Sequence, residues 1–332
     1  MEDKGIGILK KAQYWKFDGT FEKRPPGFAQ VYTIVAVFCD YPERQKSFIC
    51  GTVFVKEKDT VAYERLFQKL KDLVGEDIGP KEFGFDHELA AINGAKIIFP
   101  DAKIILCFWH YPKNLKDYAR SKKCSNHLAT DKNFQRWLNQ LIGSSFLPLE
   151  WMTGVVDYLL DNPPELHELL QPYMATFIEY YKNQWREKLE YINYYDTDGP
   201  RTTNGNECFH SSLNTLIPEK RLDFRICYIR YKESLAAAAD DYVRSNYGEL
   251  LKLREPKYVQ SESQIIRRKR EMKALYEAGN HPGLDELLKY SSAQAWRSTE
   301  AFEDIRPDPR FAIQHVQPVI HEPPVPTNAS TI

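Results

Sequence analysis

The chain predicts an α/β fold: a mixed β-sheet flanked by helices, with an all-helical insertion and a helical C-terminal region. Three observations carry that expectation. Aromatic and β-branched residues concentrate in three short runs within residues 13–55, the composition of strands that follow one another in a meander. Helical repeats of apolar residues then alternate with two further short apolar runs up to residue 108, as helices and strands do in a layered α/β domain. From about residue 111 to 195 the strand signal is absent and Leu and aromatic positions recur at spacings of three and four, so this stretch reads as helical.

Taken in order, Gln13 to Phe17, Gln30 to Phe38 and Phe48 to Val55 are the first three strands. Between the first two, Glu22 to Gly27 contains Pro-Pro-Gly, which continues neither element and marks a turn. Asp59 and Thr60 are N-cap residue types, and Tyr63, Leu66, Phe67, Leu70, Leu73 and Val74 then repeat at helical spacing until a stop within Gly75 to Pro80. Glu82 to Phe85 is a short strand ending at Asp86. Leu89, Ile92, Ala95 and Phe99 give one apolar face of a helix closed by Pro100. Lys103 to Phe108 (KIILCF) reads as a buried strand, because strands covered on both faces are continuously apolar. Meander, helix, strand, helix, strand is the order of an RNase-H-like sheet.

In the helical stretch, the sets Phe134, Trp137, Leu138, Leu141, then Leu159, Leu166, Leu169, Leu170, then Phe177, Tyr181, Trp185, Leu189 mark successive apolar faces. Residues 196–206 (DTDGPRTTNGN) form a loop by composition. Glu207 opens a helix on which Glu207, His210, Ser211 and Asn214 share a polar face and Phe209, Leu213 and Leu216 an apolar one. Leu222 to Leu253 reads as a long helical tract and Gln264 to Ala278 as a second, basic helix; beyond Arg306 the density of proline predicts a disordered tail. The expected organisation is a sheet core over 10–120, a helical insertion over 121–199, the final core helix with Glu207 over 200–232, a helical C-terminal region over 233–305 and the tail over 306–332.

Composition narrows the class. A chain of 332 residues, 42% hydrophobic and 27% charged, can bury a large core. Its six cysteines contain no CxxC pair, which favours a reduced compartment over a disulfide scaffold. No run approaches a membrane span, and residues 1–14 carry Lys and Asp without an apolar segment, so a soluble, unsecreted protein is expected. A net charge of -1 argues against a surface devoted uniformly to nucleic acid. Cations are nevertheless clustered: Lys113, Lys116, Arg120, Lys122 and Lys123; Lys220, Arg221, Arg225, Arg230 and Lys232; Arg267, Arg268, Lys269, Arg270 and Lys273. Each group alone fits a solvated helix face, but two of them flank the acids described next, as a phosphate track would.

Asp18, Asp86 and Glu207 each stand at an element end that can deliver a carboxylate to one place. Metal-dependent cleavage of a phosphodiester asks for little more, since two divalent cations activate the attacking oxygen and stabilise the leaving one. Magnesium takes one or two carboxylates alongside waters and substrate oxygens. Each acid also has an ordinary reading: Asp18-Gly19-Thr20 as a turn, Asp86 as a helix N-cap, Glu207 as a first-turn acid favoured by the helix dipole. Cys107-x-x-His110 is half of a zinc pattern with no second pair at suitable spacing; Cys107 is expected at a buried strand end and His110 in the next helix, beside the site or DNA. His210 either lies on a polar face or touches substrate.

Together the pieces resemble the catalytic domain of Mutator-like element (MULE) transposases, RNase-H-like enzymes of the DDE type. The matching segments are Asp18-Gly19-Thr20-Phe21, Phe85-Asp86-His87-Glu88-Leu89-Ala90-Ala91-Ile92 leading to Phe99-Pro100, Cys107-Phe108-Trp109-His110 with Asn114, and Arg201-Thr202-Thr203-Asn204-Gly205-Asn206-Glu207 with His210 and Leu213, over roughly residues 10–215. Gly205 stands where the family commonly has Asn. The resemblance implies that Asp18, Asp86 and Glu207 are the catalytic and metal-binding triad for two Mg²⁺ or Mn²⁺ ions, and that Cys107 and His110 are the family's C/D(2)H motif. Asn204, His210, Lys113, Lys220, Arg221 and Arg225 are expected near DNA. The implied activity is DNA cleavage and strand transfer in the nucleus, on transposon ends and target DNA, by a homo-oligomer assembled on DNA and without a membrane. Near-neutral charge keeps a second reading beside it, a domesticated DNA-binding or chromatin-associated descendant without catalysis. A nuclease without strand transfer is a third.

Overall fold

The computed structural model describes residues 3–21, 24–39, 45–75, 81–197, 199, 201, 223–249 and 256–299. Five strands, β1 (Tyr14–Thr20), β2 (Gln30–Cys39), β3 (Gln45–Val55), β4 (Glu82–Phe85) and β5 (Lys103–Leu106), form one mixed sheet in the order β3-β2-β1-β4-β5. The first three make the antiparallel meander, while β1, β4 and β5 run parallel. The helices are α1 (Asp3–Lys11), α2 (Thr60–Val74), α3 (Leu89–Ile98), α4 (His110–Arg120), α5 (Asn126–Thr130), α6 (Lys132–Gly143), α7 (Leu149–Asp161), α8 (Gln171–Gln184), α9 (Phe224–Asn246), α10 (Pro256–Glu277) and α11 (Leu284–Thr299).

Alternation along β1 and β4 sorts their side chains onto two faces. Trp15, Phe17, Phe83 and Phe85 point one way and stack on one another, with Phe67 of α2 and Phe99 closing over them. Helix α2 is held in place from both ends: Asp59 accepts from the Ala62 amide at 2.8 Å, and Gly75, at φ 84°, lets the chain leave. Between those ends Tyr63, Phe67, Leu70 and Val74 form the buried stripe. On the other face Lys16 and Glu82 pair at 3.5 Å, both nearly inaccessible to solvent, and α9 covers β2 and β3 by packing Leu235 and Ala238 on Val35, Val37 and Ile49.

One apolar cluster runs from α1 through the sheet into α6, α7, α8 and the C-terminal helices. The turn Ser144–Phe146 links the two regions, since Phe146 packs on Phe108 at 5.3 Å. One element, α1, was not anticipated, and α11 falls within the expected helical C-terminal region. α1 is short and polar on its outer side, but buries Ile8 and Leu9 and takes a 2.9 Å hydrogen bond from the Trp15 indole. α11 docks on α6 through Gly143, where a Cβ would lie 1.8 Å from the Ser291 carbonyl oxygen. β1 also continues through Asp18-Gly19-Thr20, paired with Thr33, Tyr32 and Val31, so this segment is strand and not turn. The proline-rich stretch 306–332 lies outside the described residues.

Candidate active site

Because β1, β4 and β5 are parallel, their carboxyl ends share one edge of the sheet. Phe17 is in register with Phe85, so Asp18 and Asp86 follow as neighbours on adjacent strands, with backbones about 4.8 Å apart. Asp18 is 7% exposed. Its carboxyl group lies against that of Asp86 and draws the Asp86 pKa down slightly, against the larger effect of burial. Burial pushes the Asp86 carboxyl up to about 6, helped by the charge of Glu88 and opposed by His110 and Lys58. One oxygen of Asp86, Oδ1, is buried with no hydrogen-bond partner among the described residues. Asp86 does not cap α3; Glu88 stands at that position, and its amide donates to the Asp86 carbonyl at 2.8 Å.

Glu88 is held beside the pair by three donors. The Tyr63 hydroxyl donates to Oε1 at 2.7 Å, Lys58 Nζ lies 3.2 Å from the same oxygen, and Gln30 Nε2 donates to Oε2 at 3.2 Å. Gln30 also donates to the Tyr63 hydroxyl. Burial and the contact with Glu88 raise the Tyr63 hydroxyl far above its ordinary range, so it stays a donor. Gln30 is fully buried against Gly19, where a Cβ would sit 2.4 Å from its Oε1. Glycine in that strand therefore makes room for the amide that steadies Glu88. The sequence reading missed Glu88, Tyr63 and Gln30 as site residues; the visible signal was a second acid two positions after Asp86.

The remaining candidates separate. His110 opens α4, and its imidazole acts electrostatically on both Asp86 and His87. His87 stacks on Trp185 at 4.8 Å, and burial with Lys188 and His110 nearby lowers it to about 4. Cys107 is buried beyond the end of β5, its amide donating to the Phe85 carbonyl at 2.6 Å, and it interacts with Lys16 and Tyr194. Lys113 pairs with Asp117 at 2.6 Å on the exposed side of α4. Arg225 is exposed in the first turn of α9. Asn204, Glu207, His210, Lys220 and Arg221 lie outside the described residues.

Residues 14–114 match the family model of the MULE transposase domain. That stretch holds the whole sheet, both aspartates, Glu88, Cys107, His110 and Lys113. No curated protein matches the chain. Among the described residues no three His, Cys, Asp or Glu side chains are grouped to hold a metal ion, and no helix is long and apolar enough to cross a membrane. Two carboxylates in contact, one with an unpartnered buried oxygen, nevertheless form a donor set suited to a hard divalent cation.

Proposed function

We propose that the protein is a DDE-type transposase that cleaves DNA and transfers the strand, with Asp18, Asp86 and Glu207 as its carboxylates. The contact between Asp18 and Asp86 carries this reading. Two acids sharing a buried edge are unfavourable alone and become favourable around a divalent cation. Bound Mg²⁺ or Mn²⁺, two ions in this reading, would activate the attacking oxygen and stabilise the leaving one. Asp18 and Asp86 would hold them, Glu88 adds negative charge while staying bound to Tyr63, Gln30 and Lys58, and the His110 imidazole faces Asp86 from the next helix.

Two further observations support the reading. The sheet order, with three antiparallel strands followed by two parallel ones on the far side of β1, supports an RNase-H-like arrangement. The described residues flanking Glu207 are also fixed at the same edge. The Arg201 carbonyl accepts from the Phe108 amide at 2.7 Å beyond β5; its guanidinium lies over Phe146 and Phe108 and pairs with Glu262 of α10 at 2.7 Å. Phe224 packs on Phe28 and Phe54, by the start of β2 and the end of β3. The ends of β4 and β1 lie between these two anchors, which supports Glu207 reaching the pair. The helices of 121–199 are then an insertion before the third acid, and the protein acts on DNA in the nucleus as an oligomer assembled there.

The test is nicking and strand transfer of a DNA duplex by the full chain in Mg²⁺ or Mn²⁺. Asp86→Asn and Glu207→Gln are each expected to slow cleavage by about 10²-fold or more, the loss of several kcal/mol of charge stabilisation. Binding without cleavage in either metal would instead favour a DNA-binding descendant that retains the fold.

A further inference from the structure

Away from the carboxylate edge, a groove of about 730 Å³ lies between α6 and α11, with Arg268 of α10 at its side. Lys132, Arg136, Arg268 and Lys289 line it against one acid, Asp285, leaving three net positive charges (four minus one). Lys132 and Arg136 are one helical turn apart and share a face of α6. None of the four cations has an ion-pair partner among the described residues. Gln135, Asn139 and Gln140 add amide groups to the same wall. A small-molecule pocket is enclosed; this groove is open, and its cations stand over a floor that includes Leu288 and Ala293.

Unpaired cations interleaved with amides suit phosphodiester oxygens, and a duplex presents one such charge per about 1.7 Å of its axis. We propose that this groove is a docking surface for the phosphate backbone of duplex DNA, separate from the carboxylate pair and independent of metal. Its position favours that occupant. α6 ends at Gly143, and the following turn packs Phe146 on Phe108, next to the end of β5. Arg136 and Lys132 lie seven and eleven residues back along the helix, about 10 and 16 Å at 1.5 Å per residue. That distance is about three to five base pairs, so, resting on the proposed function for the duplex at the sheet edge, the same duplex would reach the groove.

Binding of the full chain to a labelled duplex, followed by fluorescence anisotropy in EDTA across a salt series, tests this without any catalytic step. Arg136→Ala with Lys289→Ala alters two exposed residues outside the apolar cluster. The pair is expected to weaken binding at low salt and to make the slope of log affinity against log salt shallower by about 1.8, at about 0.9 per phosphate contact. Arg65→Ala with Lys69→Ala, two exposed cations one turn apart on α2, should change neither. An unchanged slope in the groove variant, or an equal loss in the α2 variant, overturns the proposal. So does a groove variant that binds DNA normally but no longer binds poly-glutamate, which would assign the surface to an acidic protein. Because metal is absent throughout, failure here leaves the cleavage reading standing, and failure of cleavage leaves this one.

Discussion

Strands β1 and β4, with the residue that follows β4, carry two pairs of buried charges on one face, Lys16 with Glu82 and Asp18 with Asp86, and the pairs differ in sign. Lys16 and Glu82 are opposite charges at 3.5 Å. Burial lowers the Lys16 ammonium and Glu82 counters it, so the pair is balanced within the protein. Asp18 and Asp86 are acids of like sign; burial and the charge of Glu88 favour the protonated Asp86 carboxyl, while His110, Lys58 and the contact with Asp18 oppose them. The aromatic face behind both is the same continuous stack. The contrast teaches that one scaffold, built from alternation, can hold a buried ion pair and a buried pair of acids side by side on the same face.

The largest expected effect breaks the balanced pair. Glu82→Ala leaves Lys16 buried without its counter-charge and should destabilise the fold by about 3 kcal/mol, measured by chemical denaturation. Adding Lys16→Met should recover most of that loss. If the single variant is as stable as wild type, the ion pair is not holding the ammonium in place.

A smaller effect of opposite sign tests the unbalanced pair. The folded Asp86 carboxyl, at about 6, lies above the unfolded value of about 3.9, so the folded state holds its proton more tightly. That stabilisation is full below about pH 3.9 and is lost as pH rises through about 6. In EDTA at pH 7.5, Asp86→Asn should therefore be more stable than wild type by on the order of 2 kcal/mol. Mg²⁺ should then raise the melting temperature of wild type and not of the variant. A variant less stable than wild type in EDTA would mean that the carboxylate is already balanced.

The smallest effect concerns the support around Glu88. Gly19→Ala should displace the Gln30 amide and cost about 1 kcal/mol, the worth of a hydrogen bond, with weaker Mg²⁺ affinity in a calorimetric titration. Unchanged affinity would detach Gln30 and Glu88 from the site.

Much of this was legible in the sequence. The runs holding Trp15 and Phe17, and Phe83 and Phe85, were read as strands and are strands, and Asp59 and Gly75 bracketed α2 as their residue types predict. What failed was local reading of residues whose role is set by distant partners. Asp18-Gly19-Thr20 has turn chemistry, yet β2 pairs with it and Gln30 fills the space above Gly19. Tyr63 sits on the apolar stripe of α2, but its hydroxyl leaves that stripe to reach Glu88. Gly143 gave no sign that it marks the crossing with α11, because the partner backbone lies about 150 residues away and spacing along one helix carries no trace of it.

The Arg201 anchor has a consequence in time. Its partner Glu262 lies 61 residues later in the chain, which synthesis at about 5–20 residues per second delivers roughly 3–12 s afterwards. Through that interval the nascent chain already contains every strand of the sheet and both aspartates, while the guanidinium between Phe108 and Phe146 waits for its carboxylate. The Arg201 anchor at the edge that carries the acids is thus completed only after α10 has been made, well after the strands it closes over.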